Sequence, residues 1–260
     1  MRILVTLSSF RSLLWNNLVI LALAFCWLVI GYFGWNNEVF IPTLSEVLVN
    51  TVRLLQTERF WSHITSSLGV ILSGFTLSLV VAIPIGIVMG SYIRMNAALR
   101  NFIELIRPLS PLALYPLFIY LFGIGFMPKL IIVFWVSWIP LLFNIITGVQ
   151  RVNEDHLRMA KTLGATRNQV LREIILPAIA PWIITGMRLS MGSALLVIVA
   201  AEMIGSNVGI GFFILNASYT FRIVDLYSGI LVIAIIGILI NALFLWWERT
   251  IQIYNNKIKL

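Results

Sequence analysis

Residues 151–181 read RVNEDHLRMAKTLGATRNQVLREIILPAIAP. This is the longest polar run between apolar segments in the second half of the chain. Its punctuation is that of helix, turn, helix. Asn153 is placed to cap a first helix, with Glu154 and Asp155 in the first turn, where the helix dipole favours anions. Leu157, Ala160 and Leu163 recur at helical spacing, and Gly164 follows where a helix can stop in a left-handed conformation. Thr166 restarts the chain, and Gln169 completes a capping-box pattern. Val170, Leu171, Ile174 and Ile175 give the second helix an apolar stripe. Leu176-Pro177 is expected to end it, because proline cannot donate a hydrogen bond and restricts the residue before it.

The stretch resembles the EAA loop of ABC importer permeases: Glu-Ala-Ala, three residues, Gly, nine residues, Ile-x-Leu-Pro. Ala160, Gly164, Ile174, Leu176 and Pro177 fall on that pattern. Arg158 and Met159 stand in place of the leading Glu and Ala. Arg in the first position is similar to the taurine branch of the nitrate/sulfonate/taurine group. The resemblance covers roughly Leu44 to Trp247.

Composition bounds the class independently. Of the 260 residues, 60% are hydrophobic and 11% charged, with a mean hydropathy of +0.98. Soluble domains carry about a quarter charged residues, so the chain reads as an all-α integral membrane protein. The net charge of +8 sits between apolar runs, which is a topology signal rather than a nucleic-acid surface. Cys26 is the only cysteine, so no intrachain disulfide or cysteine-based metal site is possible.

About six spans are expected: Trp15–Phe33, Ser66–Tyr92, Phe102–Gly123, Leu130–Val149, Trp182–Ile204 and Leu226–Trp247. The first competes with a signal-peptide reading, but its run is long enough to span, at about 20 residues. The expected divisions are 1–60 (first span and an amphipathic segment), 61–248 (permease core with the loop 151–181) and 249–260 (tail). Ser45 is expected to cap a short helix carrying Leu48, Val52 and Leu55. Ile93–Asn101 reads as a short basic loop and Gly205–Asp225 as a polar connection. The third span holds Pro108, Pro111 and Pro116, and so cannot be one regular helix; broken backbone at membrane depth must border protein or a wet cavity. With the N-terminus inside, twelve Lys and Arg fall in cytoplasmic segments against four outside. Both termini and the 151–181 loop are therefore expected in the cytoplasm of a bacterial inner membrane. Trp15, Trp246 and Trp247 read as interfacial anchors.

No G-x-x-x-x-G-K-[ST] is present, so the chain has no means of cradling a nucleotide phosphate. ATP and Mg2+ are expected on a partner subunit, with no cofactor and no enzymatic chemistry here. The loop offers the means of coupling. Leu157, Met159, Ala160 and Leu163 form an expected apolar face, which water disfavours by about 25 cal/mol per Å2. Arg158 and Lys161 flank it. Docked on an ATPase that face is buried; the alternative is a loop packed under its own bundle.

Charged residues within spans are functional candidates. Glu104 and Arg107 are spaced to pair on one helix face. Arg188 is placed to snorkel. Glu202 either lines an outer gate or caps backbone amides. Arg107, Pro108, Pro111, Arg188 and Glu202 are thus the candidate pathway or gate residues. Asn144, Ser190, Ser193 and Asn241 read mainly as helix glue, and His63 and His156 as surface residues.

The resemblance implies a type I (MetI-like) permease fold. It also implies a homodimer with the path between copies, two ATPase subunits and an extracytoplasmic solute-binding protein. A taurine-like sulfonate is the leading substrate, with nitrate, bicarbonate and pyrimidine precursors as alternatives. An ion-coupled secondary transporter is the competing class; it would expect ionisable residues at mid-membrane and an inverted repeat, and neither is clear.

Overall fold

The computed structural model describes residues 41–258 together with Ala22, and every regular element among them is a helix. The expected first span, with Trp15 and Cys26, lies outside the described residues. We number the helices α1 Leu44–Leu55, α2 Glu58–Ser91, α3 Ile93–Ile106, α4 Pro111–Phe122, α5 Phe126–Gln150, α6 Glu154–Thr162, α7 Arg167–Gly205, α8 Ile210–Tyr219 and α9 Ile223–Ile258. Four of these, α2, α5, α7 and α9, are long and apolar enough to cross a membrane. The pair α3 and α4, bent by 85° at their junction, would make a fifth span if counted together.

The chain divides into two compact units, Met1–Glu58 with Ile214–Val232, and Arg59–Phe213 with Ile233–Leu260. In the first, Thr43 rather than Ser45 caps α1. Its hydroxyl accepts from the Glu46 amide at 3.3 Å, and Glu46 returns the bond to the Thr43 amide at 3.0 Å. The reciprocal box needs the acid three residues on, and only Thr43 has one there. Val47 and Thr51 are buried. Asn50 donates to Asp225 at 2.7 Å and to Ser228 at 3.1 Å, tying α1 to the start of α9. The expected apolar stripe of Leu48, Val52 and Leu55 is left exposed.

The second unit is a bundle centred on α5. Gly74, Gly86 and Gly90 of α2 lie against Val133, Ile145 and Val149 of α5. Both sets of numbers rise together, so the two helices run parallel, and the glycines permit the close approach. Along α7 the order reverses. Gly148 meets Trp182, Asn144 and Leu141 meet Gly186, and Ser190 Oγ donates to the Ser137 carbonyl at 2.6 Å. The antiparallel α9 packs Gly237 beside Leu195 and Phe244 edge-on to Phe75. Leu141, Leu142, Ile145 and Ile179 are fully buried at the centre.

Three expectations are corrected. Ile93–Asn101 is not a loop but the first part of α3, whose Leu99 and Ile103 turn toward the bundle at helical spacing while its arginines face out. The third span, expected over Phe102–Gly123 and expected to be broken by its prolines, is indeed two helices. The break falls at Ser110, held extended (φ −72°, ψ 115°) before Pro111, which opens α4. The second helix of the loop does not stop at Leu176-Pro177. Val170–Ile175 is π-helical, and the Leu176 amide reaches back five residues to the Leu171 carbonyl. That wider turn shifts the bonding register just where Pro177 lacks a donor, so the chain continues unbroken into α7. Lastly, Gly205–Asp225 contains α8.

Candidate functional site

Four polar assemblies lie in the second unit. The first is the loop 151–181. Asn153 Oδ1 accepts from the Asp155 amide at 2.9 Å and starts α6. Arg158 reaches back one turn to Glu154, 2.8 Å, both exposed. Gly164 ends the helix at φ +77°, and the Ala165 amide closes on the Ala160 carbonyl at 2.9 Å. Thr166 and Gln169 form the reciprocal capping box that restarts the chain. The expected apolar face is split. Ala160 is buried and Leu157 half-buried, whereas Met159 and Leu163 are 57% and 87% exposed. Leu157 and Ala160, three apart, share one side of the helix, and Met159 and Leu163, four apart, share another. Asp155, Arg158, Met159, Thr162 and Leu163 together line an open depression. Lys161 occupies the last turn of α6, and Ile174 and Leu176 are half-buried on the approach to the exposed Pro177.

Just behind the loop, the Arg151 guanidinium stacks 4.7 Å above the Trp182 ring, which is itself wedged against Gly148. One turn further along α7, Arg188 pairs with Glu248 of α9 at 3.2 Å, and Thr185 donates to the same carboxylate at 3.1 Å. Arg188 is thus partnered within the bundle instead of snorkelling. Sequence reading passed over Glu248; a lone acid behind Trp246-Trp247 offered a signal that was not used.

At the opposite end of the bundle, Glu202 is fully buried. It accepts from Ser67 Oγ at 2.7 and 2.9 Å and from the Gly211 amide at 2.9 Å. Ser67 Oγ in turn accepts from the Ile210 amide at 2.9 Å, and His63 Nδ1 accepts from the Gly209 amide at 3.1 Å. Three successive amides of the α7–α8 turn are thereby held by side chains of α2 and α7. Gly209 has φ +129°, and a Cβ there would land on the Glu202 carboxylate. Lys129, also buried, donates to Ser206 at 3.1 Å, and Tyr115 of α4 to the Gly205 carbonyl at 3.3 Å. His63 is therefore a buried acceptor and not the surface residue expected of it. Of the roles expected of Glu202, amide capping is the one its contacts describe.

At the α3–α4 elbow, Glu104 pairs with Arg100 at 2.8 Å and not with Arg107. Arg107 follows the last helical residue, and its guanidinium lies 5.3 Å over the Phe143 ring. Pro108 is exposed and Pro111 half-buried. The glue candidates divide. Ser190 bonds across helices, Asn144 and Ser193 bond to carbonyls four residues back in their own helices, and Asn241 is exposed. Among the described residues, no group of three or more His, Cys, Asp or Glu side chains is placed to hold a metal ion.

The chain was compared with known proteins and families. Residues 82–252 match the family described as binding-protein-dependent transport system inner membrane component. The Methanocaldococcus jannaschii protein MJ0413, whose name places it among ABC transporter permeases without a substrate, is 36% identical over 211 residues, 79% of each chain. The Escherichia coli taurine transport system permease protein TauC is 34% identical over 210 residues, 79% of this chain and 76% of TauC. The Synechococcus elongatus bicarbonate transport system permease protein CmpB is 31% identical over 193 residues, 74% of this chain and 69% of CmpB. An inward-facing structure of the MetNI methionine ABC transporter superposes with a TM-score of 0.67 at 12% identity, over 75% of this chain and 99% of that one.

Proposed function

We propose a specific role on one premise: the chain belongs to the binding-protein-dependent transport system inner membrane components and is an ABC importer permease of the type I fold, not an enzyme. In our reading it forms the membrane path for a small anionic solute, a taurine-like sulfonate first. It is driven by a separate ATPase, which carries the ATP and Mg2+, and is supplied by a solute-binding protein outside. Two copies enclose the path, and both termini face the cytoplasm, as the distribution of basic residues argues.

The observation that carries this reading is the loop. α6 is started by Asn153 and ended at Gly164, yet leaves Met159 and Leu163 bare beside Arg158. An apolar pair that is strongly exposed on a short, well-capped helix is suited to burial against a partner. Pro108 and Pro111 at the elbow are the residues we place along the path or its gates, whereas Arg188 and Glu202 are occupied in bonds within the bundle. CmpB favours bicarbonate as the second substrate reading, since its likeness to this chain is close to that of TauC.

Two measurements test this. A cysteine at Leu163, in a chain with Cys26 replaced, should cross-link to the co-expressed ATPase; a product containing only this chain or only lipid would refute the coupling role. Calorimetry on the accompanying solute-binding protein should show taurine bound and bicarbonate not. The reverse result would exchange the two substrate readings.

A further inference from the structure

We infer that α3 is an interfacial helix whose outward faces bind a bilayer surface rich in anionic phospholipid, at the same end of the bundle as the loop 151–166. Its place is fixed by packing. Gly90, three residues before α3, lies against Val149, two residues before the loop, and Ile103 shares a buried cluster with Met89, Val149 and Ile179. The 85° bend to α4 sets α3 across the direction in which the chain next runs. At 14 residues it is too short to cross a membrane by itself.

The helix has three faces where two would suffice for packing in water. Leu99 and Ile103 form the seam toward the bundle, and Ile106 is half-buried one turn on. On one side of the seam Met95, Phe102 and Leu105 make a continuous apolar flank, 44%, 59% and 74% exposed. On the other side Arg94, Arg100, Asn101 and Glu104 are exposed. A helix with apolar and basic flanks side by side lies in the plane of a membrane interface, with the apolar flank in the acyl region and the basic one among headgroups. Glu104 is the only acid on α3, and Arg100 takes it, so the charge of Arg94 has no counterpart on its own helix. Arg107 follows just beyond. Arg94, left without an acid on its own helix, is complementary in sign to anionic lipid headgroups.

The test is independent of substrate and of transport. In the full-length chain, co-expressed with its complex and with Cys26 replaced, single spin labels are placed by M95C, F102C, L105C, A97C or N101C. The protein is reconstituted in nanodiscs of phosphatidylcholine with or without phosphatidylglycerol. Labels at 95, 102 and 105 should collide with molecular oxygen, and those at 97 and 101 with a water-soluble nickel chelate. Preference for phosphatidylglycerol, read by lipid exchange, should fall about fivefold for each of R94Q and R107Q. The proposal fails if labels at 102 and 105 are shielded from both reagents, or broadened by a second label, since a protein copy would then cover that flank. Equal lipid preference in R94Q, R107Q and the parent chain would likewise overturn it.

Discussion

Gly164 is the residue on which the loop turns. Its φ of +77° lies in the left-handed region, and space around it is open, so the obstacle to a side chain there is backbone strain alone. Gly164→Val should cost about 1–2 kcal/mol locally and misdirect α6. Uptake into vesicles should fall well below ATP hydrolysis while the thermal transition of the bundle stays put; unchanged uptake would contradict the hinge. Glu202 is the complementary case. Glu202→Ala strips partners from Ser67 and the Gly211 amide, and buried groups left unpaired cost about 1–3 kcal/mol each. A lowered melting temperature in detergent, with residual protein still folded, is the expected outcome. Gly164, Thr166 and Gln169 were legible in the sequence because their bonds span only a few residues. The Glu202 cluster was not, because Ser67 and His63 are separated from it by more than half the chain and meet it only once α2 and α7 pack.

At the scale of helices, the contacts make distinct demands. A side chain at Gly90 would place its Cβ 2.5 Å from Val149, so Gly90→Val should force α2 and α5 apart and cost about 1–3 kcal/mol, readable as a loss of thermal stability. Arg188 and Glu248 bind α7 to α9 at 3.2 Å while partly shielded from solvent. Neutralising either should lower stability, and the double variant should cost less than the sum by at least about 0.5 kcal/mol. Strict additivity, measured by thermal unfolding, would show the pair to be incidental. Apolar runs predicted α2, α5, α7 and α9 well, apart from their ends, which extend into polar sequence. α3 escaped because three faces blur a two-sided periodicity, and its arginines resembled a loop. Pro177 misled for a different reason: the rule for proline assumes an α-helical bond pattern, and the preceding turn is π-helical.

In the whole molecule, α5 connects two ends of different character. One end carries the exposed loop with Met159 and Leu163; the other carries the turn at Ser206–Gly211 fastened by buried polar side chains. The family and fold were readable from the loop spacing and the apolar runs together, and substrate was not, since relatives named for taurine and for bicarbonate match over nearly the same length. The π-helical stretch has a consequence for how the two ends are phased. It holds one residue more than an α-helix of equal rise would need. Deleting a single residue within Val170–Ile175 should therefore restore an ordinary α-helical turn and leave α6 in phase with α7. Such a shortened chain should insert and melt like its parent and still present its knob to the same quarter of any socket below.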